Sequence, residues 1–268
     1  MLGKLLKYEF KACGRIFFPL YIGILFLAVV NGVSIGSSLK DQDGFILDPN
    51  TLNTQGILTL VMVALFVALF VITIVLTIQR FNKNLLEDEG YLMFTLPVKT
   101  SYLILSKLLV ALTYVIISAI VALLSFLIIG RIGGNINLVD FFEFLSQESM
   151  LGENIDFIIY MNLWLLVSYT IFVLSIYLSL SIGQLPHLSK YKMPAGVVLF
   201  FIINVIISKI ETFMRKITVD STPEVDLMNT IGAITYKYLF ISSLISIIIG
   251  IILFFLTNWI LNKKLNLE

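Results

Sequence analysis

The sequence predicts an all-α integral membrane protein with six transmembrane helices, both termini cytoplasmic and an amphipathic interfacial helix at its N-terminal end. Three observations predict it. The 268 residues are 59% apolar and only 13% charged, with a mean hydropathy of +1.00. A soluble domain is about 45–50% apolar and about 25% charged, so water cannot solvate this chain as a normal globule. The apolar residues gather in runs long enough to cross a bilayer. Lysine and arginine sort onto alternate connections between those runs.

A helix crosses the hydrocarbon core with roughly 20 apolar residues, because every backbone polar group in lipid must be satisfied within the segment. Six runs qualify: about Ile16–Val33, Gly56–Ile78, Tyr102–Ile129, Asp156–Ile182, Pro194–Ile210 and Tyr238–Leu261. None carries an ionisable side chain near its middle. Lys107 lies a turn or two inside the third, where a lysine is expected to snorkel outward. With the N-terminal end inside, the inner connections hold 12 Lys and Arg against 5 acids, and the outer ones 6 against 12. The inner connections are short, so this bias sets the topology. One domain, residues 1–268, accounts for the whole chain.

Residues 1–15 have their own pattern. At 100° per residue Lys4, Lys7, Lys11 and Arg15 share one helical face, and Leu2, Leu5, Leu6, Phe10 and Cys13 the opposite one. This predicts a helix lying in the inner headgroup layer. A signal peptide, with Ser34-Ile35-Gly36 as its cleavage site, is the competing reading. The outer connections carry turn signals at Asp41, Asp43-Gly44 and Asp48-Pro49-Asn50. A short apolar run, Leu138–Leu145, suits an interfacial helix, and Thr222-Pro223-Glu224 reads as a helix start.

Most chemistry is excluded early. One cysteine, Cys13, rules out an internal disulfide framework and any multi-cysteine zinc site. The lone His187, in a short inner connection, reads as a solvated loop residue. The chain has no phosphate-binding G-x-x-x-x-G-K-[ST], no G-x-S-x-G and no H-E-x-x-H, so it is not expected to be an enzyme or to hold a cofactor or metal. Net charge of +1 gives no reason to expect nucleic acid. Without an acid at mid-membrane, an ion-coupled carrier also lacks its usual site. Ala111, Ser118, Ala122 and Ser125 share one face of the third run, and Ser168, Ser175 and Ser179 one face of the fourth. Close helix packing explains such faces; a transport path also lined by Tyr114, Tyr169 and Asn204 is the alternative.

The stretch Arg80–Lys107 is the long polar interruption in which charge, aromatics and Gly/Pro punctuation are densest. Glu87, Asp88 and Glu89 precede Gly90, then come Tyr91, Leu92, Met93, Phe94 and Pro97. A solvated loop does not need that apolar block, so it reads as a docking element. Asn84, Leu85 and Leu86 with Leu92, Met93 and Phe94 suit an anchor, and the three acids suit basic groups on a partner. Gly90 suits a sharp change of direction, and Pro97 an end before Thr100 and Ser101 cap the third span.

Phe81–Val98, FNKNLLEDEGYLMFTLPV, resembles the cytoplasmic loop of membrane (permease) subunits of bacterial ABC type-2 transporters. The opening residues Met1–Phe17 resemble their N-terminal start, and the two patches cover about an eighth of the chain. The resemblance implies a multi-pass permease of a bacterial cell membrane, usually an exporter. Its loop at 79–101 would contain a coupling helix seated in a separate ATPase subunit that holds ATP and Mg. A second permease half, a homodimer mate or a related chain, would complete the path. A sensor or assembly partner using the same loop, and an ATP-independent channel or carrier, are the alternatives.

Overall fold

A computed structural model describes residues 2–40, 49–86, 90, 98–134, 155–185, 191–220 and 227–263. Six long helices account for nearly all of them, with no strand among the described residues: α1 (Leu2–Lys40), α2 (Pro49–Phe81), α3 (Thr100–Gly133), α4 (Ile155–Gly183), α5 (Lys192–Asp220) and α6 (Leu227–Lys263). Each contains one of the six apolar runs, and each is long and apolar enough to cross a membrane. The chain is therefore a multi-pass, all-α membrane protein.

The helices outrun the spans predicted from hydropathy. α1 has 39 residues, ~58 Å at 1.5 Å per residue, nearly twice a hydrocarbon core of about 30 Å. It continues to Lys40, and α5 to Asp220, through stretches expected to be connections. Pro49, expected in a turn, instead opens α2, where its missing N–H removes no helical bond. The interfacial helix expected at residues 1–15 is not separate: it forms the first turns of α1, unbroken through Pro19. Leu138–Leu145 and Thr222-Pro223-Glu224 lie outside the described residues.

Contacts divide the chain into two compact units, Gly3–Leu76 with Thr113–Glu153, and Met1–Leu2 with Thr77–Leu112 and Asn154–Glu268. In the first, α1 and α3 run parallel. Phe17 stacks on Tyr114 at 4.5 Å, Tyr21 shares a 2.8 Å hydrogen bond with Ser118, and Gly32 meets Ile132 further along. α2 runs against both. The Asn31 amide donates to the Leu58 carbonyl at 3.3 Å, Gln55 donates to the Ser34 carbonyl at 3.4 Å, and Phe66 stacks on Phe126.

In the second unit α4 is central, half of its apolar window being buried against 11% for α5. α5 packs on it antiparallel, Gly196 near its start lying beside Leu180 near the end of α4, with Asn204 donating to Ser175 at 3.3 Å and Phe200 edge-on to Phe172. α6 packs on it parallel, with the Trp164 indole donating to Ser242 at 3.1 Å and Gly250 beside Ile171 and Leu174. Phe81, at the end of α2, stacks on Tyr177 with centroids 4.1 Å apart. Thr100, expected to cap α3, is inside its first turn and donates its hydroxyl to Asn262 of α6 instead.

In the first unit α1 approaches α3 closely at Gly32 and Gly36, a G-x-x-x-G pair facing Ile132 and Gly133. A Cβ on Gly36 would fall 2.8 Å from the Ile132 carbonyl oxygen, which belongs to helix backbone and cannot rotate away. Gly36→Leu is therefore expected to cost about 1–3 kcal/mol, as overpacking does, read as a lower thermal midpoint in detergent. Gly23 has open space around its Cβ position. Gly23→Ala should leave the midpoint unchanged or raise it, since alanine gains up to ~1 kcal/mol over glycine in a helix.

Candidate docking loop and polar groups of the spans

The α2 helix does not end where its apolar run ends. It passes at Phe81 into one π-helical turn, Asn82–Leu86, the widened geometry that often marks functional positions. Leu85 is fully buried and Leu86 nearly so, while Asn82 and Asn84 are also buried. Lys83 alone of the five is exposed. Asn84, Leu85 and Leu86, expected to anchor a partner, therefore root the start of the loop in the chain's own interior.

Gly90 is described as a helical residue and is buried. A Cβ there would sit 2.7 Å from the Leu85 carbonyl oxygen and 2.9 Å from its carbon. The glycine permits this close approach; the change of direction expected of it involves residues on either side that lie outside the described ones. The other docking residues, Glu87, Asp88, Glu89, Tyr91, Leu92, Met93, Phe94 and Pro97, lie outside the described residues, as does His187.

At the start of α1 the side chains divide as the helical wheel required except at Phe10, expected on the apolar face but exposed. Lys4, Lys7, Lys11 and Arg15 are exposed, Leu2, Leu5 and Leu6 are half-buried, and Cys13 is buried. Glu9 is buried too. Lys107 departs from expectation: it is 4% exposed and so does not snorkel. A charge so enclosed needs a polar partner to persist, and Lys107 and Glu9 each have one.

The small and hydroxyl faces are used for packing. Ser125, Ser175 and Ser179 are buried and donate to the carbonyls of Ala122, Phe172 and Ile176, each three residues earlier. Tyr114 donates to the Phe10 carbonyl at 2.7 Å, and Asn204 is engaged as above. Such bonds keep a hydroxyl satisfied in lipid and bring helices close. Two features went unread although the sequence carried a sign of them. The glycines at 32 and 36 have the spacing of a close helix contact, and Asn31 is the polar residue inside the first apolar run that ties α1 to α2.

Amine acylation of the purified protein should modify Lys4, Lys7 and Lys11 quickly and leave Lys107 intact. Equal modification of all four would mean that Lys107 is not enclosed. Gly90→Ala should loosen the root of the loop by about 1–3 kcal/mol. The expected readout is several-fold faster tryptic cleavage after Lys83, with cleavage at Lys4 and Lys7 unchanged. No family model matches the chain, and neither a curated protein nor a solved structure matches it.

Proposed function

We propose that the chain is the permease subunit of an ATP-driven transporter of the ABC type-2 kind, acting as an exporter through loop 79–101. The observation that carries this reading is the joint between α2 and the acidic, aromatic segment. The helix runs without a flexible link into a π turn whose Leu85 and Leu86 are buried, and Gly90 rests on the Leu85 carbonyl. A segment rooted in this way transmits a displacement to α2; a loosely tethered one would absorb it.

In this proposal both termini and residues 79–101 face the cytoplasm of a bacterial cell, in accord with the Lys/Arg bias of those connections. A separate ATPase subunit holds ATP and Mg. Its closure moves a cleft occupied by Tyr91, Leu92, Met93 and Phe94, with Glu87, Asp88 and Glu89 on basic groups at its rim. The shift tilts α2 and α3 and changes access to a path shared with a second permease copy or a related chain. The free energy comes from preferential binding of one state by the closed ATPase, not from bond chemistry in this chain. The basic face of Lys4, Lys7, Lys11 and Arg15 lies on anionic headgroups of the inner leaflet, each cation contributing about 1 kcal/mol near the surface.

The test is affinity purification in mild detergent. The unmodified chain should bring down a P-loop ATPase, and Glu87→Lys, Asp88→Lys and Glu89→Lys together should release it without altering the elution of the permease. Undiminished recovery of the ATPase from the triple variant sinks docking through the acids. Substrate flux through the reconstituted chain without nucleotide favours a channel or carrier instead.

A further inference from the structure

α5 is the span least enclosed by the rest of the chain, with 11% of its apolar window buried. Gly196, Phe200 and Asn204 are the side that meets α4. Opposite them runs one line of outward side chains. Val198, Val205, Lys209 and Lys216 lie within about 40° of one another at 3.6 residues per turn, and all four are exposed.

This line changes chemistry where the helix leaves the bilayer. No charged residue falls between Lys192 and Lys209, a rise of ~26 Å, slightly less than a hydrocarbon core of about 30 Å. With Lys192 at one edge of that core, Lys209 sits just inside the other and turns its ammonium outward, as lysine stems allow. Lys216 is ~10 Å further along and stands in the headgroup layer. Phe213, 64% exposed, lies between them. The two lysines therefore bracket the depth of the lipid phosphates. Among the described residues neither has an ion-pair partner. Glu211 is half-buried and lies ~150° away around the helix.

Charge decides what covers this line. Two copies related by a two-fold axis along the membrane normal would set Lys209 against Lys209 and Lys216 against Lys216, like charges at the edge of a medium of low dielectric. A zwitterionic lipid brings its own ammonium to its phosphate, whereas an anionic lipid leaves the phosphate charge uncompensated. We infer that this end of α5 binds an anionic phospholipid, its acyl chains along Val198 and Val205 and its phosphate between Lys209 and Lys216. α5 begins beside the end of α4, the end at which Tyr177 stacks on Phe81, so the site lies in the leaflet opposite the Phe81 end of α2. In the orientation proposed above that leaflet is the outer one, where the Lys/Arg bias of topology gives no reason for cations. The inference goes beyond the transporter reading, and the site depends on neither that orientation nor an ATPase.

The test uses the full chain in phosphatidylcholine nanodiscs doped with one of two probes, phosphatidylglycerol or phosphatidylcholine, each carrying a diazirine near the glycerol end of one acyl chain. After illumination, adducts on residues 205–213 should be about 25-fold more abundant with the phosphatidylglycerol probe, about fivefold for each lysine. Adducts on Ile57 and Leu60 should be equal with both probes, since these side chains are exposed and α2 carries no lysine or arginine before Arg80. Lys209→Gln and Lys216→Gln should each lower the preference about fivefold, and arginine at both positions should keep it. Both side chains are exposed, so the variants should elute as the parent does. Raising the salt to 1 M, where the Debye length is ~3 Å, should also lower the preference. Equal labelling by the two probes, a preference untouched by both glutamine substitutions, or its loss in the double arginine variant would each overturn the inference. Displacement by inorganic phosphate at constant ionic strength, or links between two copies through Val198 and Val205, would overturn it as well.

Discussion

In hydrocarbon a backbone N–H or carbonyl finds no water, and each one left unsatisfied costs several kcal/mol. That constraint makes every crossing a continuous helix and sets how the remaining polar groups are handled. Hydroxyls such as those of Ser125, Ser175 and Thr257 turn back onto carbonyls three or four residues earlier. The longer groups reach across: Asn31 to α2, Asn204 and Trp164 between α4 and its neighbours. The same polar atoms that would be a penalty if exposed to lipid therefore fix which helices pack together. Their reach also fixes register, because an amide bonds a particular carbonyl whereas leucine tolerates a slide.

The loop root follows the same logic at the end of a span. Where α2 leaves its apolar run, the chain continues as a π turn with its leucines turned inward and its asparagines enclosed. A π turn carries one residue more per turn than the helix before it. It therefore rotates the residues of the turn relative to the α2 face. Stacking of Phe81 on Tyr177 holds the last α-helical residue against α4. The end of α2 is thus held against α4 by an aromatic stack and by the burial of Leu85 and Leu86.

The six crossings were legible because lipid demands both apolarity and length, and the sequence writes both into runs such as Gly56–Ile78. The ends were not. A polar turn of helix beyond the hydrocarbon has no hydropathy signal, so the extensions to Lys40 and Asp220 read as connections, and Pro49 as a turn. Lys107 illustrates a second limit. Its distance from the end of the span suited snorkelling, and the sequence could not reveal which neighbours enclose it. Within the loop, the close approach at Gly90 was not legible, because a glycine is equally suited to a turn and to a close backbone contact. Only the position of the Leu85 carbonyl reveals the contact. The spacing of Gly32 and Gly36 was visible throughout and needed only the partner helix to give it meaning.

The contact of Gly32 and Gly36 with Ile132 and Gly133 bears on how the protein is made. Parallel helices cannot be joined by a tight turn, so α1 meets α3 only after α2 has crossed between them. Tyr21 and Ser118, bonded in the same pair of helices, lie 97 residues apart. At about 5–20 residues per second of synthesis, α1 waits some 5–20 seconds in the bilayer before its mate emerges. Throughout that interval its glycine-flattened flank is bare to lipid or to whatever insertion factor shields it, and nascent chains stalled before residue 130 would be the species most prone to pairing with the wrong helix.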